Sequence, residues 1–287
     1  MVFINSFQAA QIPIDAIDLS YANGSVRWPA VEADAVIIRM GYRGYGSGAL
    51  KTDAQWAKNI AGAERAGKPY GCYWFSQAVS EDEAEEEAAY CIALLEGHSP
   101  QFPVYLDSEY ANGGQGRGDS LRRADRTAYA AAWCRAIEAA GFRAGVYASE
   151  DWWKNHLNAA ALTDYSIWCA KVSQTAPDIG ADYDGWQYTF SGSDPGVTGD
   201  VDRSYFYTDF AEEDDTVTQA EFNAMADAWW AEFRAELQAK AGSSWSEADR
   251  TWAESSGLFQ GGEDGFMWQD FLTREQAAAL FHRQAGE

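Results

Sequence analysis

Histidine, cysteine and positive charge are all scarce in this chain of 287 residues. The three histidines, His98, His156 and His282, form no zinc-like or triad-like cluster. No metal, no cofactor and no Ser-His mechanism is therefore expected. The four cysteines, Cys72, Cys91, Cys134 and Cys169, stand far apart with no C-x-x-C pair, which predicts buried free thiols. Lys and Arg number 21 against 44 Asp and Glu, a net charge of −23. That balance argues against nucleic acid and anionic membranes as partners. No run approaches the ~20 apolar residues of a membrane span. The N-terminal stretch MVFINSFQAAQIPIDAIDLS has no basic region followed by an unbroken apolar one, so a signal peptide is not expected.

What the chain has in quantity is aromatic surface. Apolar residues make up 47% and aromatic residues 15%, enough for a sizeable core with rings to spare for flat ligands such as sugars. The apolar runs punctuate it regularly. Asp15–Ser20 reads as a strand, and Trp28–Val31 as a helical turn. Ala35–Tyr42 reads as a strand buried on both faces, because its apolar run does not alternate. The Gly-rich stretch Gly41–Gly48, carrying Tyr42 and Tyr45, lacks the Lys and spacing of a phosphate loop and is expected to be an active-site loop. A helix is predicted over Thr52–Ala66, capped by Thr52 or Asp53 and closed by Gly67. Further strands are predicted over Pro69–Phe75, Pro103–Glu109, Arg143–Ser149, Tyr165–Val172, Gly185–Phe190 and from Gly199 onward. Helices are predicted after Ser80, over Leu121–Ala140 and after Ser149. The acids at 81–87 suit the positive end of a helix dipole and a solvated face. Ala111–Ser120 reads as a mobile Gly-rich loop.

Strands alternating with helices or loops over about 200 residues predict an α/β fold, an irregular TIM-like β/α barrel whose later crossovers are too short for regular helices. Barrel sites lie at the C-terminal strand ends. Asp18, Arg39, Tyr73, Asp107, Glu109, Tyr147 and Trp186 are expected at or near such ends, with Asp202 on the last strand.

Pro103-Val-Tyr-Leu-Asp-Ser-Glu109 is the most informative stretch, an apolar run that ends in two acids. With a period of two, Tyr105, Asp107 and Glu109 share a face, and the two carboxyls sit roughly 5–7 Å apart. That spacing suits glycoside hydrolysis, in which one carboxyl protonates the leaving oxygen and the other meets the developing cation. Crowded like charges push their pKa values apart and so separate the two roles. The plain alternative is a solvated strand end.

Taken in order, the segments DAIDLS, AVIIRMGY, PYGCYWFS, PVYLDSE, AGVYASEDWW, YDGWQYT and GDVDRSYF resemble the glycoside hydrolase family 25 muramidases, the Chalaropsis-type lysozymes, over about residues 12–210. The resemblance implies cleavage of the β-1,4 bond between N-acetylmuramic acid and N-acetylglucosamine in peptidoglycan glycan strands. It implies Glu109 as proton donor, Asp107 as its partner, kept ionised, and Asp18 and Asp202 as the other acids of the site. Tyr42 from the Gly-rich loop, Tyr73, Tyr147 and Trp186 are expected to face the sugar. The chain departs from the family at Ser108 and Cys72, where apolar residues are usual. Phage endolysins, which resemble this chain, commonly lack signal peptides and are released through a holin. The rival readings are a non-catalytic peptidoglycan-binding barrel and a chitinase, whose D-x-x-D-x-D-x-E run is absent.

The barrel is expected over 1–210, an acidic linker over 211–217 and a helical module over 218–287. Thr218-Gln-Ala-Glu221 has the form of a capping box. Phe222, Met225, Trp229, Phe233 and Leu237 then form an apolar stripe. Residues 245–283 resemble a single S-layer homology (SLH) repeat, with Thr273-Arg-Glu-Gln276 at its usual TRAE position. The resemblance implies binding of a secondary cell-wall polymer, and the stripe suits a homo-oligomer through the C-terminal helices.

Overall fold

A computed structural model of the chain describes residues 13–211, 219–240 and 244–257, with the isolated positions 277, 280 and 281. It divides into two compact units, Met1–Glu213 and Asp214–Glu287.

The first unit contains nine strands: β1 (Ile14–Leu19), β2 (Ala35–Arg43), β3 (Leu50–Thr52), β4 (Tyr70–Phe75), β5 (Val104–Asp107), β6 (Ala144–Ser149), β7 (Ser166–Ala170), β8 (Gly185–Gly192) and β9 (Val201–Phe206). Strand β1 pairs in parallel with β2 and antiparallel with β9, so eight strands close into a barrel while β3 hangs on β2 as a hairpin. From β2 through β4 to β8 every barrel pairing is parallel. Helices α1 (Trp56–Ala66), α2 (Glu81–Leu94), α3 (Arg123–Ala139) and α4 (Glu150–Asn155) fill the middle crossovers. Between β1 and β2 the described chain makes only 3-10 turns, and between β7 and β8 it is a loop. This is the irregular TIM-like barrel that the strand pattern predicts.

Local chemistry sets the element ends. The Ser80 and Ser149 hydroxyls accept from the Glu83 and Trp152 amides at the starts of α2 and α4. Gly67, at φ 63°, closes α1. Helix α1 begins later than expected, at Trp56. Asp53 instead spends its carboxylate on the amides of Gln55 and Tyr21, fixing the entry to the helix rather than capping it.

Side chains divide by strand alternation. Ile17, Leu19, Val36, Ile38, Val104, Leu106 and Val146 face the helices in the larger apolar cluster. Ala16, Ala35, Ile37, Tyr105, Tyr147, Trp168 and Phe206 fill the barrel interior. Gly145 and Gly185 make room there: a Cβ would stand 2.4 Å from the Tyr105 ring at the first and 2.5 Å from the Phe206 ring at the second. All four cysteines are buried free thiols.

Three expectations change. The Gly-rich stretch after β2 is partly a β-hairpin, with Gly41 to Arg43 paired to Thr52 to Leu50. The acids of α2 are not all solvated. Glu87 is fully buried and bonds Arg43 Nε at 2.7 Å, and Glu83 grips Arg117 with both oxygens. The loop 111–120 is tied down: Asp119 accepts from the amides of Ala111 and Gly116, the Gln77 side chain accepts from Gly118, and Arg126 donates to the carbonyls of Gly118 and Asp119.

In the second unit α5 (Gln219–Ala239) and α6 (Glu247–Ser255) are helical. Trp229 stacks on Phe233 at 5.3 Å yet stays 61% exposed, and Trp245 and Trp252 are also exposed. Residues 212–217, Thr218 of the capping box, the side chains of Phe222 and Met225, and nearly all of 258–283, including the TRAE-like position, lie outside the described residues.

Candidate active site

Along the barrel interior an apolar layer gives way to a charged one at the C-terminal ends. Two residues beyond Ala16 on β1 stands Asp18, beyond Ile37 on β2 stands Arg39, and beyond Tyr105 on β5 stands Asp107. The parallel register aligns Phe75, Asp107 and Tyr147 across β4, β5 and β6, and Arg39 with Tyr73 and Tyr105. Past the end of β5 the chain stays anchored, because the Ser108 amide donates to the Tyr147 carbonyl at 2.9 Å. Ser108 Oγ accepts from the Trp152 indole at 3.0 Å, which gives this polar residue a buried partner on the helix side. Glu109 follows immediately. Tyr110 then packs edge-on against Trp152 and bonds His156.

Asp202 enters from β9. The register places Ile17 opposite Arg203, so the next pair is Asp18 opposite Asp202, two like charges in a position that is normally destabilising. Gln187 on β8 resolves the conflict. Its amide nitrogen donates to Asp18 Oδ2, and to Asp202 Oδ2 at 3.4 Å, while its oxygen accepts from the Tyr147 hydroxyl at 2.6 Å. One neutral side chain thus ties together two acids and one of the expected sugar-facing tyrosines.

Burial raises all four carboxyls, and repulsion from a neighbouring acid adds to it at Asp18, Asp107 and Glu109. Asp18 is pushed well above the usual range by burial and then by Asp202, against the hydrogen bond from Gln187. Asp202 rises to about 6 through burial. Burial drives Glu109 up to about 7, with Arg39 pulling it down and Asp202 pushing it up. Asp107 is also raised well above its ordinary value, by burial and by Glu109, with Arg39 opposing. Burial thus opposes the ionised state expected of Asp107, and Arg39 favours it. Asp107 is the more deeply buried of the pair. Asp18 Oδ1 and Asp107 Oδ1 are buried without hydrogen-bond partners, polar capacity left for a ligand.

The structure brings Asp18, Asp107, Glu109, Asp202, Tyr73 and Tyr147 to one mouth. Tyr42 joins the rim through a bulge. The β2–β4 register slips between Arg39 and Gly41, so Met40 is an extra residue, and Arg39 and Tyr42 meet at 5.2 Å although three positions apart. Trp186 is not brought to this set. It lies opposite Cys169, which faces the helices, and its indole donates to the Lys171 carbonyl. Its neighbour Gln187 faces inward instead.

A sequence signature described as "Glycosyl hydrolases family 25" matches residues 17–197. The chain belongs to glycosyl hydrolase family 25. Among similar proteins, an autolytic lysozyme of Clostridium acetobutylicum is 26% identical over 190 residues, 66% of this family 25 chain and 55% of that protein. The modular autolysin LytC of Streptococcus pneumoniae, solved with a synthetic peptidoglycan ligand, is 28% identical with a TM-score of 0.59, covering 67% of this chain and 46% of that one. A bacterial lysozyme of Streptomyces coelicolor shares the fold, at 22% identity and a TM-score of 0.55, over 70% of this chain and 95% of that one. The family 25 chain thus spans about half the length of the first two.

Proposed function

We propose that this chain is a peptidoglycan hydrolase, an N-acetylmuramidase that cleaves the β-1,4 bond between N-acetylmuramic acid and N-acetylglucosamine. The observation that carries the reading is the convergence of Asp18, Asp107, Glu109 and Asp202 with Tyr73 and Tyr147 at one mouth of a family 25 barrel. The lysozyme and autolysin relatives support it. Glu109, held protonated up to about pH 7, donates its proton to the glycosidic oxygen as the C1–O bond breaks. Asp107 faces the cation that develops at C1, either bonding to it or orienting the substrate's 2-acetamido oxygen to do so. With Glu109 protonated in the complex, Asp107 is the carboxyl left to carry the negative charge, and Arg39 favours that state. Asp18 and Asp202, bridged by Gln187, hold the mouth in shape, and Asp202 helps burial keep Glu109 high. A non-catalytic binding barrel would have no need to keep this costly set of buried acids together.

The deciding experiment is mass spectrometry of the reducing ends released from purified peptidoglycan. New ends on N-acetylmuramic acid support the reading. Ends on N-acetylglucosamine make the protein a glucosaminidase, and no release with retained wall binding makes it a binding protein.

For the second unit two occupants of its exposed indoles are proposed, a secondary cell-wall polymer or a second copy of the chain, with action on the bacterial cell wall after release through a holin. The exposed Trp229, Trp245 and Trp252 support a surface made for contact. Deleting 211–287 is expected to spare cleavage of soluble glycan fragments while lowering activity on whole cells or changing the assembly state measured by light scattering. No change in either reduces this unit to structural packing.

A further inference from the structure

Beside the four acids lies a cavity of about 470 Å³. Its wall includes five rings, Tyr21, Tyr42, Tyr45, Phe75 and Tyr110, together with the guanidinium of Arg39. Arg43 also borders it, but its nitrogens are occupied by Glu86, Glu87 and the carbonyls of Gly48 and Glu83. Arg39 differs. Among the described residues no oxygen accepts from it, no carboxylate pairs with it, and its Nε is buried without a partner. Rings hold it instead, with Tyr21, Tyr42, Tyr73 and Phe75 each 5.2–6.0 Å from its central carbon. A partly buried guanidinium flanked by rings keeps its planar N–H fork unspent among the described residues, the form in which arginine recognises carboxylates best.

Its sign is informative. Its charge lowers the pKa of Asp107 and Glu109, yet among the described residues it forms no ion pair with either of them, so its N–H groups stay open to an acid from outside the chain. The bulge at Met40 turns Tyr42 and Arg39 to the same side and so completes the cage. We propose that Arg39 and the rings around it form a subsite for a carboxylate-bearing substituent of the glycan, the rings taking sugar or peptide faces and the guanidinium the carboxylate. This assignment rests on the muramidase reading and makes Arg39 the residue that prefers acid-substituted glycan over neutral glycan.

The test compares purified peptidoglycan with the same material after its carboxylates have been amidated with methylamine. Wild type, Arg39→Gln and Arg39→Lys are each assayed for kcat and KM across the pH profile. Any effect of Arg39 on the ionisation of Asp107 and Glu109 is common to both glycans, so only the difference between them reports substrate contact. The wild-type KM is expected to rise about tenfold on amidation with kcat held. Arg39→Gln should show the raised KM on native glycan and no further rise on amidated glycan. Arg39→Lys should keep part of the preference, since it retains the charge without the fork. Equal treatment of the two glycans by wild type overturns the proposal, as does an Arg39→Gln defect of the same size on both. If wild type releases reducing ends from neither glycan, the muramidase reading itself falls and this subsite with it.

Discussion

Replacing Glu109 by Gln separates the chemistry of this site from its energetics. Gln has the shape of a protonated Glu but neither donates the proton nor ionises. The folded-state pKa of Glu109, about 7, lies above its ordinary 4.5. Glu109 therefore contributes stability that is fully present below about pH 4.5 and is lost as pH rises through about 7. The gap corresponds to about 3 kcal/mol at ~1.4 kcal/mol per pH unit. Glu109 keeps some exposure, so solvent screening brings this to about 2 kcal/mol. In a domain of this size that amounts to roughly 4–8 °C in Tm. Glu109→Gln should therefore melt with wild type at pH 4 and several degrees above it at pH 8. Peptidoglycan cleavage at the optimum should fall by about 10²–10⁴. The wild-type basic limb should descend through about pH 7, where the donor loses its proton. Calorimetry at the two pH values and reducing-end release check the two halves independently. A Tm difference that is the same at both pH values refutes the burial argument, and retained cleavage refutes the proton-donor assignment.

Gln187→Leu removes the group between Asp18 and Asp202 and leaves the buried Tyr147 hydroxyl without its partner. About 1–3 kcal/mol of stability should go, with a lower kcat, as urea unfolding and steady-state kinetics would show. Unchanged kcat would make Gln187 a spectator. Arg43→Met strips the cation from fully buried Glu87, and breaking such a pair costs about 3–5 kcal/mol. Thermal denaturation should show a large drop in Tm, while cleavage measured well below that Tm stays near wild type; an unchanged Tm would refute the pairing.

The four acids illustrate what a sequence alone can settle. Asp18, Asp107 and Glu109 follow apolar strand runs, and a period of two places Asp107 and Glu109 on one face whatever the rest of the fold does. The helix ends at Ser80, Ser149 and Gly67 are equally local, because the capping groups and the amides or carbonyls they satisfy lie within one turn. The barrel follows from the order of such segments. The tertiary structure decided everything that depends on a partner distant in sequence. Strand β8 presents both a tryptophan and a glutamine, and period two alone cannot say which faces inward. Pairing with Ala170 on β7 sent Gln187 to the acids, and pairing with Cys169 sent Trp186 to the outer face. Arg43 and Glu87 are 44 positions apart, so their union could not be read from a row of helix acids that looked solvated. The bulge at Met40 adds one residue to a strand without any local signal, yet it determines which side chains surround Arg39. The raised carboxyls are likewise a tertiary property, because a pKa responds to burial and to neighbours brought together only when β1, β5, β8 and β9 close into one barrel.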